Sequence, residues 1–366
     1  MDMCRILGFT GENFSSQNFD LALNHLKRGG PDGNGVYQCK ENKVYFGHTR
    51  LAILDTSKNG AQPMVTNNDD CVIIFNGEIY NYKSIKNKLL KIGYNFKSYT
   101  DTEVILYAYK EWGENVFNML EGMFAIAIYD TQKNIVILSR DYFGIKPIYY
   151  YHDENNFSFA SEVKALKILI PTIQESIDWK VYFLTFGFIP EPQTVLKNVF
   201  CLKSGHYLVY NLKNKNISTF SYLKINTSKL NYNNKTLISR FFNQLDNSIE
   251  SCLTADGKVA ISLSGGFDSS YIAKIASDNK IVSSLSLDST SVKVSERKSI
   301  NYITRKLKII NHKSLLTKKI FLNNLDNILK AYDQPSIDGI NTYFISKFAN
   351  NNNVKVLLSG LGSDEL

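Results

Sequence analysis

The sequence predicts an α+β domain, with antiparallel sheets packed between helices, followed by a doubly wound α/β domain. Three observations lead to this fold class. The 366 residues exceed what one ordinary hydrophobic core organises. The first part of the chain holds short apolar runs between turn residues, which is typical of antiparallel strands. From about residue 235 onward, helical and strand patterns alternate, which indicates a parallel sheet with helices on its faces.

In the first part, strand patterns and helical patterns are interspersed. The strands are predicted at Lys43–His48, Cys71–Asn76, Met123–Tyr129, Ile135–Ser139, Pro147–Tyr151 and Phe157–Ala160. The helices are predicted around Phe19–Lys27, Tyr82–Ile92 and Asp101–Trp112. Glycine and proline then punctuate short strand-like pieces, which favours a connecting region. The predicted division is therefore a first domain at 4–170, a connecting region at 171–228 and a second domain at 229–366.

The second domain begins with a helix near Leu237–Cys252. Its strands are predicted at Lys258–Leu263, Lys280–Leu287, Ile309–Leu315 and Val354–Leu358, with helices between them. Ligands of doubly wound sheets bind at the carboxyl ends of the strands.

Composition excludes several classes of protein. A hydrophobic content of 44% and an aromatic content of 13% indicate a globular chain. We find no apolar run long enough for a membrane span and no secretory signal at the N-terminus. The five cysteines lack CxxC spacing, which disfavours a zinc site or a disulfide framework and favours a cytoplasmic location. The net charge of +8 is spread over asparagine-rich loops, so no nucleic-acid surface is expected.

A glycine-rich turn, Ser264–Ser270, follows the first strand of the second domain. Such a turn presents several backbone N–H groups at a helix N-terminus, where an anion binds. Asp268 is out of place beside an anion unless a cation such as Mg²⁺ joins them. We therefore predict a site for a pyrophosphate group with Mg²⁺, although a plain strand-to-helix turn would also fit these residues.

Taken together, the motifs resemble the glutamine-hydrolysing asparagine synthetase family over nearly the full chain. The first domain carries Met3–Ile6, Arg28–Asp32, Arg50–Ile53, Gln62–Met64, Asn76–Asn81, Asp101–Glu103 and Arg140–Pro147. The second carries Ser264–Ser270, Asp333–Pro335 and Ser359–Glu365. The resemblance implies an N-terminal-nucleophile (Ntn) hydrolase fold with glutaminase activity, followed by an ATP-pyrophosphatase-type synthetase domain.

The resemblance assigns roles to residues of the first domain. Cys4 would be the nucleophile, and Asn76 and Gly77 would form the oxyanion hole that stabilises the tetrahedral intermediate. The glutamine-binding residues would be Arg50, Leu51, Ile53, Asn76, Glu78 and Asp101. Arg50 would pair with the α-carboxylate, and Glu78 and Asp101 with the α-ammonium group. Taken singly, Cys4 also fits a buried strand residue, Asn76-Gly77 a hairpin turn, and the two acids surface charges.

A thiol needs a base, and in the family the cysteine is the first residue of the mature chain. Its free α-amine, with a pKa of about 7.7–8.0, can take the thiol proton. Met1-Asp2-Met3 precedes Cys4 in this sequence. We therefore expect either a start at Met3 with removal of that methionine or cleavage of a short leader. Two further departures are Arg5, where a small residue is usual, and the double glycine Gly29-Gly30, which predicts a more flexible loop.

In the second domain the resemblance implies that ATP and Mg²⁺ bind. The ATP-binding residues would be Ser264, Gly265, Gly266, Asp268, Ser269, Ser270, Leu287, Ser359 and Gly360. The metal would be held by Asp268 and Asp364. Leu287 would line the adenine pocket, although a core role fits it nearly as well.

The acceptor is expected to be aspartate, whose carboxylate ATP would activate as an acyl-adenylate. Leu361 and Gln334 stand where glutamate is common in the family, so another carboxylate acceptor stays open. Family members continue beyond the position of Leu366, which predicts that the α/β domain is incomplete at its C-terminus. From this we expect glutamine hydrolysis with poor or absent amide synthesis, or a remnant that only binds nucleotide. The resemblance also implies a homodimer.

Overall fold

The structure is a computed structural model that describes residues 3–224, 233–279, 283–289 and 296–362. The chain divides into two compact units. The first unit comprises Asp2–Ile225 together with the short segment Asp333–Ile337, and the second comprises Asn226–Tyr332 with Asp338–Leu366. The predicted boundaries at 170 and 228 stay a prediction.

The first unit is built on two six-stranded antiparallel sheets. Its strands are β1 (Arg5–Gly11), β2 (Gly33–Cys39), β3 (Val44–Arg50), β4 (Met64–Val65), β5 (Cys71–Ile79), β6 (Gly122–Asp130), β7 (Ile135–Arg140), β8 (Tyr149–His152), β9 (Asn156–Ala160), β10 (Val199–Cys201), β11 (His206–Asn211) and β12 (Ile217–Ser221). One sheet has the order β10-β8-β9-β1-β3-β2, and the other β12-β11-β7-β6-β5-β4. Strands β10, β11 and β12 of the predicted connecting region thus extend both sheets.

Helices cover the outer face of each sheet. They are α1 (Ser16–Leu26), α2 (Tyr82–Lys91), α3 (Asp101–Trp112) and α4 (Val163–Leu169). A further helix, α5 (Trp179–Phe186), has no buried residue and does not take part in this packing. One buried cluster joins β5 and β6 to α2 and α3, a second fills the space between the sheets, and a third joins β1 to α1 and α4. The order helix, sheet, sheet, helix confirms the predicted antiparallel sheets packed between helices, the Ntn-hydrolase arrangement.

Side-chain alternation explains how single strands serve two of these clusters. In β1, Ile6 faces the other sheet while Leu7 faces α1 and α4. In β5, Ile74 faces the other sheet while Ile73 and Phe75 face α2 and α3. Because successive side chains alternate, the residues two positions away from Ile6 and Ile74 lie on the same inner side.

The second unit holds a four-stranded parallel sheet. Its strands are β13 (Val259–Ser262), β14 (Ser283–Ser289), β15 (Ile310–Leu316) and β16 (Val356–Leu358), in the order β15-β14-β13-β16. Its helices are α6 (Asn234–Cys252), α7 (Phe267–Asp278), α8 (Arg297–Leu307), α9 (Lys318–Ala331) and α10 (Ile340–Asn351).

Both faces of this sheet are covered. Ile261 packs with residues of α7 and α8, while its neighbour Ala260 packs with Ala349 of α10. The doubly wound arrangement predicted from the sequence is therefore confirmed in the described residues. Among these residues, none of the helices combines the length and apolar character needed to cross a membrane.

Candidate active site and nucleotide turn

Cys4 lies directly before β1, and its thiol contacts the loop that follows β3. The backbone N–H of Leu51 donates to Cys4 Sγ at 3.3 Å, and Sγ lies 3.5 Å from the Leu51 carbonyl oxygen. Burial raises the pKa of the Cys4 thiol to about 11, although the hydrogen bond from the Leu51 N–H lowers it. The charges of Glu78 and Asp101 raise the pKa further, whereas that of Lys146 lowers it. Without a base or a closer cation, this thiol therefore stays protonated at neutral pH.

Asn76 and Gly77 lie in β5, on the strand that faces β1 across the sheets. Asn76 is 1% exposed, and its Nδ2 has no hydrogen-bond partner in the part of the chain that the structure describes. Asn76 is two residues after Ile74, and Cys4 is two residues before Ile6, so both belong on the inner side. A buried N–H donor without an acceptor is costly, which is typical of a donor held ready for a ligand oxygen.

Gly77 follows Asn76 in β5 and lies close against the neighbouring strand β6. A Cβ at Gly77 would overlap the carbonyl oxygen of Met123 on the neighbouring strand β6. Only glycine therefore keeps the pairing of Gly77 with Phe124 in register. The hairpin-turn alternative for Asn76-Gly77 is wrong, because both residues lie inside the ladder of β5 with β6.

Two carboxylates, those of Asp101 and Glu78, affect the Cys4 thiol through their charge. Asp101 is 5% exposed at the start of α3, and its Oδ2 accepts from the Ile79 N–H at 2.9 Å. Burial raises the pKa of Asp101 to about 6, although backbone donors such as Ile79 lower it. Glu78 is half-buried in β5. The charges of both acids raise the pKa of the Cys4 thiol, so the fold brings Glu78 and Asp101 into the region of Cys4. The surface-charge alternative is wrong for Asp101.

Arg50 ends β3 and organises the loop that follows. Its Nη1 donates to the Ser57 carbonyl at 2.8 Å, and its Nη2 to those of Leu54, at 3.4 Å, and Asp55. The guanidinium has five N–H donors, so these three contacts leave capacity for a carboxylate. Ile53 is half-buried in the same loop. The predicted roles of Arg50, Leu51 and Ile53 in binding glutamine stay predictions, but Leu51 lies against Cys4.

Lys146 is a charged residue of this region to which sequence reasoning gave no role. It lies in the motif Arg140–Pro147, and its side chain is 5% exposed. Burial lowers the pKa of Lys146 to about 8, and repulsion from Arg5 adds a smaller effect in the same direction. The charges of Glu78, Cys4 and Asp141 raise this pKa and only partly compensate. The motif marked this segment, but nothing in the sequence indicated that the lysine turns inward to Cys4.

Glu162 is a second residue without a predicted role, and it anchors β1, the strand that follows Cys4. Its carboxylate accepts from Arg5 Nε at 3.0 Å, Arg28 Nη2 at 2.6 Å and His25 Nε2 at 3.2 Å. Burial opposes ionisation of Glu162, but these three partners outweigh it and lower the pKa to about 2. Arg5 Nη1 also donates to the Cys4 carbonyl at 3.1 Å, so the network reaches the backbone of Cys4.

The double glycine after Arg28 packs tightly. A Cβ at Gly30 would overlap the backbone of Thr49 and Arg50, and one at Gly29 would lie 2.6 Å from the Met3 carbonyl oxygen. The two glycines therefore allow the loop to approach both β3 and the start of the chain. The greater flexibility expected of this loop stays a prediction.

In the second unit, the glycine-rich turn joins β13 to α7. Gly265 has a φ of +87°, which suits glycine, and Gly266 caps the helix. The Ser264 and Ser269 hydroxyl groups lie 3.0 Å apart, and Gly266 N–H donates to Ser264 Oγ at 3.3 Å. The Ser270 hydroxyl donates to the Gly266 carbonyl. The turn therefore lies at the carboxyl end of a central parallel strand, where ligands of such sheets bind.

The other residues predicted to bind ATP lie along the same edge. Strand β16 pairs with β13, and a Cβ at Gly360 would lie 2.9 Å from that of Asp268, so Ser359-Gly360 adjoins the turn. Leu287 is half-buried toward the carboxyl end of β14, next to β13. Asp364, the second predicted metal ligand, lies outside the described residues.

The segment Asp333–Ile337 packs within the first unit. The Asp333 carboxylate accepts from the N–H groups of Val163 at 2.7 Å and Lys164 at 3.0 Å, at the start of α4. Gln334 Oε1 accepts from Val195 N–H at 3.1 Å, and Nε2 donates to Tyr149 Oη at 3.3 Å. The Gln334 amide, which we connected with the acceptor, is thus engaged by the first unit.

Comparison with known proteins covers both units. Residues 3–223 match the family model of the glutamine amidotransferase domain, and residues 241–366 match that of asparagine synthase. "Putative asparagine synthetase (glutamine-hydrolyzing) 2" of Methanocaldococcus jannaschii is 33% identical over 389 residues, covering 100% of this chain and 75% of the relative.

Two relatives from Bacillus subtilis are similar at the same level. Asparagine synthetase (glutamine-hydrolyzing) 1 is 32% identical over 340 residues, covering 92% of this chain and 53% of that protein. Asparagine synthetase (glutamine-hydrolyzing) 2 is 32% identical over 393 residues, covering 99% of this chain and 52% of that protein. The chain thus spans three quarters of the archaeal relative and about half of each bacterial one. The two family models and the extent of these matches place the chain in the glutamine-hydrolysing asparagine synthetase family.

Proposed function

We propose that the first unit hydrolyses glutamine and that the second uses ATP to activate a carboxylate, which the released ammonia converts to an amide. The observation that supports the first half is the buried amide of Asn76, whose Nδ2 lacks a partner in the described structure, on the inner side with Cys4. An unpaired donor on the same inner side as a thiol is an arrangement that suits acyl transfer.

The chemistry of glutamine hydrolysis follows from these groups. The Cys4 thiolate adds to the side-chain amide carbon, and the carbonyl oxygen takes the negative charge. Asn76 Nδ2 and Gly77 N–H donate to that oxygen. The C–N bond then breaks, the leaving nitrogen takes a proton, and ammonia departs from a thioester. Water adds to the thioester, glutamate leaves, and Cys4 is restored.

The acidic and basic groups around Cys4 fit the two ends of the amino acid. Glu78 and Asp101 supply carboxylates for the α-ammonium group, and Arg50 has donors left for the α-carboxylate. The proton acceptor for the thiol is the α-amine of Cys4 when this residue begins the chain, since a free amine titrates near neutral pH. While Met3 precedes Cys4, that nitrogen is an amide and takes no proton.

For the second unit, the turn Ser264–Ser270 offers backbone N–H groups and hydroxyl groups to the phosphates of ATP, and Leu287 offers an apolar contact to adenine. Asp268 is a single half-buried carboxylate, and the described residues contain no cluster of three His, Cys, Asp or Glu side chains. This donor set fits Mg²⁺, which binds one or two carboxylates together with substrate phosphates. A bound Mg²⁺ would neutralise phosphate charge.

The acceptor that the relatives' names favour is aspartate. Its carboxylate oxygen attacks the α-phosphorus and pyrophosphate leaves. Ammonia then attacks the acyl carbon, AMP leaves, and asparagine results. Leu361, 84% exposed, stands where an acidic residue is usual, which keeps another carboxylate acceptor as the alternative. The cytoplasmic location and the homodimer stay predictions.

The test of the first half compares Cys4→Ala with Cys39→Ala, a half-buried cysteine at the end of β2. Intact mass and N-terminal sequencing first establish which residue begins the purified chain. We expect Cys4→Ala to lower the rate of glutamate release by about a thousandfold or more, and Cys39→Ala to leave it unchanged. Full activity in Cys4→Ala would refute the nucleophile.

The test of the second half is the exchange of labelled pyrophosphate into ATP, measured with aspartate and with other carboxylates. Exchange that requires aspartate and is lost in Asp268→Asn supports the proposal. Exchange with a different carboxylate alone would replace aspartate as the acceptor. Absence of exchange with any acceptor, in a chain that still hydrolyses glutamine, would leave the remnant alternative.

A further inference from the structure

Lys146 is a buried cation that forms no ion pair with any carboxylate in residues 3–224, 233–279, 283–289 and 296–362. Its side chain is 5% exposed, and its Nζ lies 2.7 Å from the thioether sulfur of Met3. The described part of the chain forms no salt bridge to this Nζ, although it pairs other half-buried lysines such as Lys110, which lies 2.6 Å from Asp70. A thioether is a weak acceptor, so the charge of Lys146 is poorly compensated. A group held at this cost is a candidate for a functional role.

The loop around Lys146 is held rigidly. Asp141 Oδ2 accepts from the N–H groups of Phe124 at 3.1 Å and Lys146 at 2.9 Å. Asp141 Oδ1 accepts from those of Phe143 at 3.1 Å and Ile145 at 2.9 Å. The backbone of Lys146 is thus tied through Asp141 to β6, next to the strand that carries Asn76 and Gly77. The backbone of Lys146 is therefore fixed relative to this strand, and its side chain extends to Met3.

That place adjoins the nucleophile. Met3, the residue that Nζ contacts, is bonded in sequence to Cys4. The charged groups that act on Lys146 are Arg5 of β1, Glu78 of β5, Asp141 and the Cys4 thiol itself. The charge of Lys146 lowers the pKa of that thiol, whereas the charges of Glu78 and Asp101 raise it.

We propose that Lys146 is a positioning residue for glutamine hydrolysis, whose ammonium group stabilises the thiolate of Cys4. The proposal rests on the proposed function, in which Cys4 is the nucleophile. The charges of Glu78 and Asp101 disfavour a thiolate, and the buried ammonium group of Lys146 acts in the opposite direction. The thiol proton goes to the α-amine of Cys4 when this residue begins the chain, and to water or buffer while Met3 precedes it. Lys146 keeps its own protons and supplies charge alone.

The sign of the pH dependence follows from the charge of Lys146. Its pKa is lowered to about 8, so the ammonium group is present below about pH 8 and is lost as the pH rises through that value. The stabilisation of the thiolate should therefore be largest below about pH 8. Removing the charge should shift formation of the thiolate to higher pH, because a positive charge favours the thiolate over the thiol.

The experiment measures alkylation of Cys4 by iodoacetamide, a neutral reagent, from pH 6 to 9 in the full chain. Mass spectrometry of the N-terminal peptide separates Cys4 from the other cysteines. The variants are Lys146→Met and Lys146→Gln, which remove the charge, and Lys146→Arg, which keeps it. Lys110→Met is the matched control, since it removes a half-buried lysine that pairs with Asp70 elsewhere in the first unit.

We expect Lys146→Met and Lys146→Gln to slow alkylation at pH 7.5 roughly threefold to tenfold, the fall in thiolate being partly offset by its higher nucleophilicity. Lys146→Arg should stay within about twofold of the unchanged chain, and so should Lys110→Met. Unchanged alkylation in a folded Met or Gln variant would overturn the proposal. Equal slowing in the Arg variant would also overturn it, because the amine rather than the charge would then matter.

Alkylation needs no turnover of glutamine, so the proposal and the proposed function fail separately. Should Cys4→Ala still release glutamate, the glutaminase assignment fails while the alkylation profile still reports on Lys146. If the alkylation profile is the same with and without the Lys146 charge while Cys4→Ala is inactive, only the role of Lys146 fails. Circular dichroism of each variant establishes folding, and the Gln variant decides if the Met variant is unfolded.

Discussion

The two units build their candidate sites in opposite ways. In the first unit the groups are side chains inside a four-layer sandwich: Asn76 is 1% and Asp101 5% exposed. In the second unit the groups are backbone N–H donors and hydroxyls on an open turn, beside Phe267, which is 75% exposed. A glutaminase site of this kind is therefore set by strand register, whereas a phosphate site needs only one strand, one turn and one helix end.

The two units also differ in the size of their buried clusters. The first unit has three large buried clusters in which whole strands take part. The described residues of the second unit form two small ones around β13 and β14. Changes in the first unit should therefore propagate through its packed interior, whereas changes at the turn should stay local.

The largest expected effect comes from removing the preorganised donor of the first unit. Asn76→Ala should lower kcat for glutamine hydrolysis by about 10²–10³, with little change in KM, because the donor acts on charge that develops in the transition state. Steady-state glutamate release measures both constants. Asn42→Ala is the control, since the Asn42 amide donates to Tyr129 and lies away from Cys4. A rise in KM with unchanged kcat would contradict an oxyanion role.

The next effect concerns the anchor of the nucleophile strand. Glu162→Gln leaves Arg5 and Arg28 without their carboxylate and should lower the free energy of unfolding of the first unit by about 3 kcal/mol at pH 7. Both tryptophans of the chain, Trp112 and Trp179, lie in this unit, so their fluorescence in urea reports on it alone.

The pH dependence sharpens this prediction. The pKa of Glu162 is lowered to about 2, from about 4.3 in an unfolded chain. The stability that Glu162 contributes is therefore present above about pH 4.3 and is lost as the pH falls toward 2. Glu162→Gln should lose less stability than the unchanged chain over this window. Glu12→Gln, which alters an exposed pair with Lys43, is the control and should leave the urea midpoint unchanged. An equal acid response in both variants would argue against the network.

The smallest effect is expected at the turn. Gly265 has a φ of +87°, so Gly265→Ala should raise the conformational free energy of the turn by about 1–2 kcal/mol. Because ATP would bind this conformation of the turn, a penalty of this size corresponds to roughly 5–30-fold weaker binding of ATP. Gly266→Ala is the matched variant, because Gly266 has a φ of −74° and its Cβ would meet no atom closer than Ser264 Oγ at 3.5 Å. Calorimetric titration with ATP compares them. Glutamate release should stay unchanged in both variants, and its loss would show that the turn affects more than its own unit.

Much of the fold was predictable from local patterns. Alternating apolar runs predicted β5, β6 and β7, and helical spacing predicted α2 and α3, because both signals repeat within a few residues. Strands β1 and β2 escaped prediction. In β2, Gly33 and Gly35 interrupt the run with residues that are poor strand formers. The motifs also located Cys4, Asn76 and the turn at Ser264–Ser270, since each is a short contiguous signature.

The amino-acid sequence was sufficient to predict the two kinds of domain and to single out Cys4 and the turn Ser264–Ser270 as candidate sites, because periodicity and short motifs are local properties of the chain. Which distant groups meet became clear only from the folded structure. Glu162 lies 157 residues from Arg5 yet binds it, and Lys146 reaches Met3 across 143 residues. Gln334 joins the first unit although its neighbours in sequence belong to the second. Such pairings depend on how sheets stack and how loops are held, and no pattern along the chain records them.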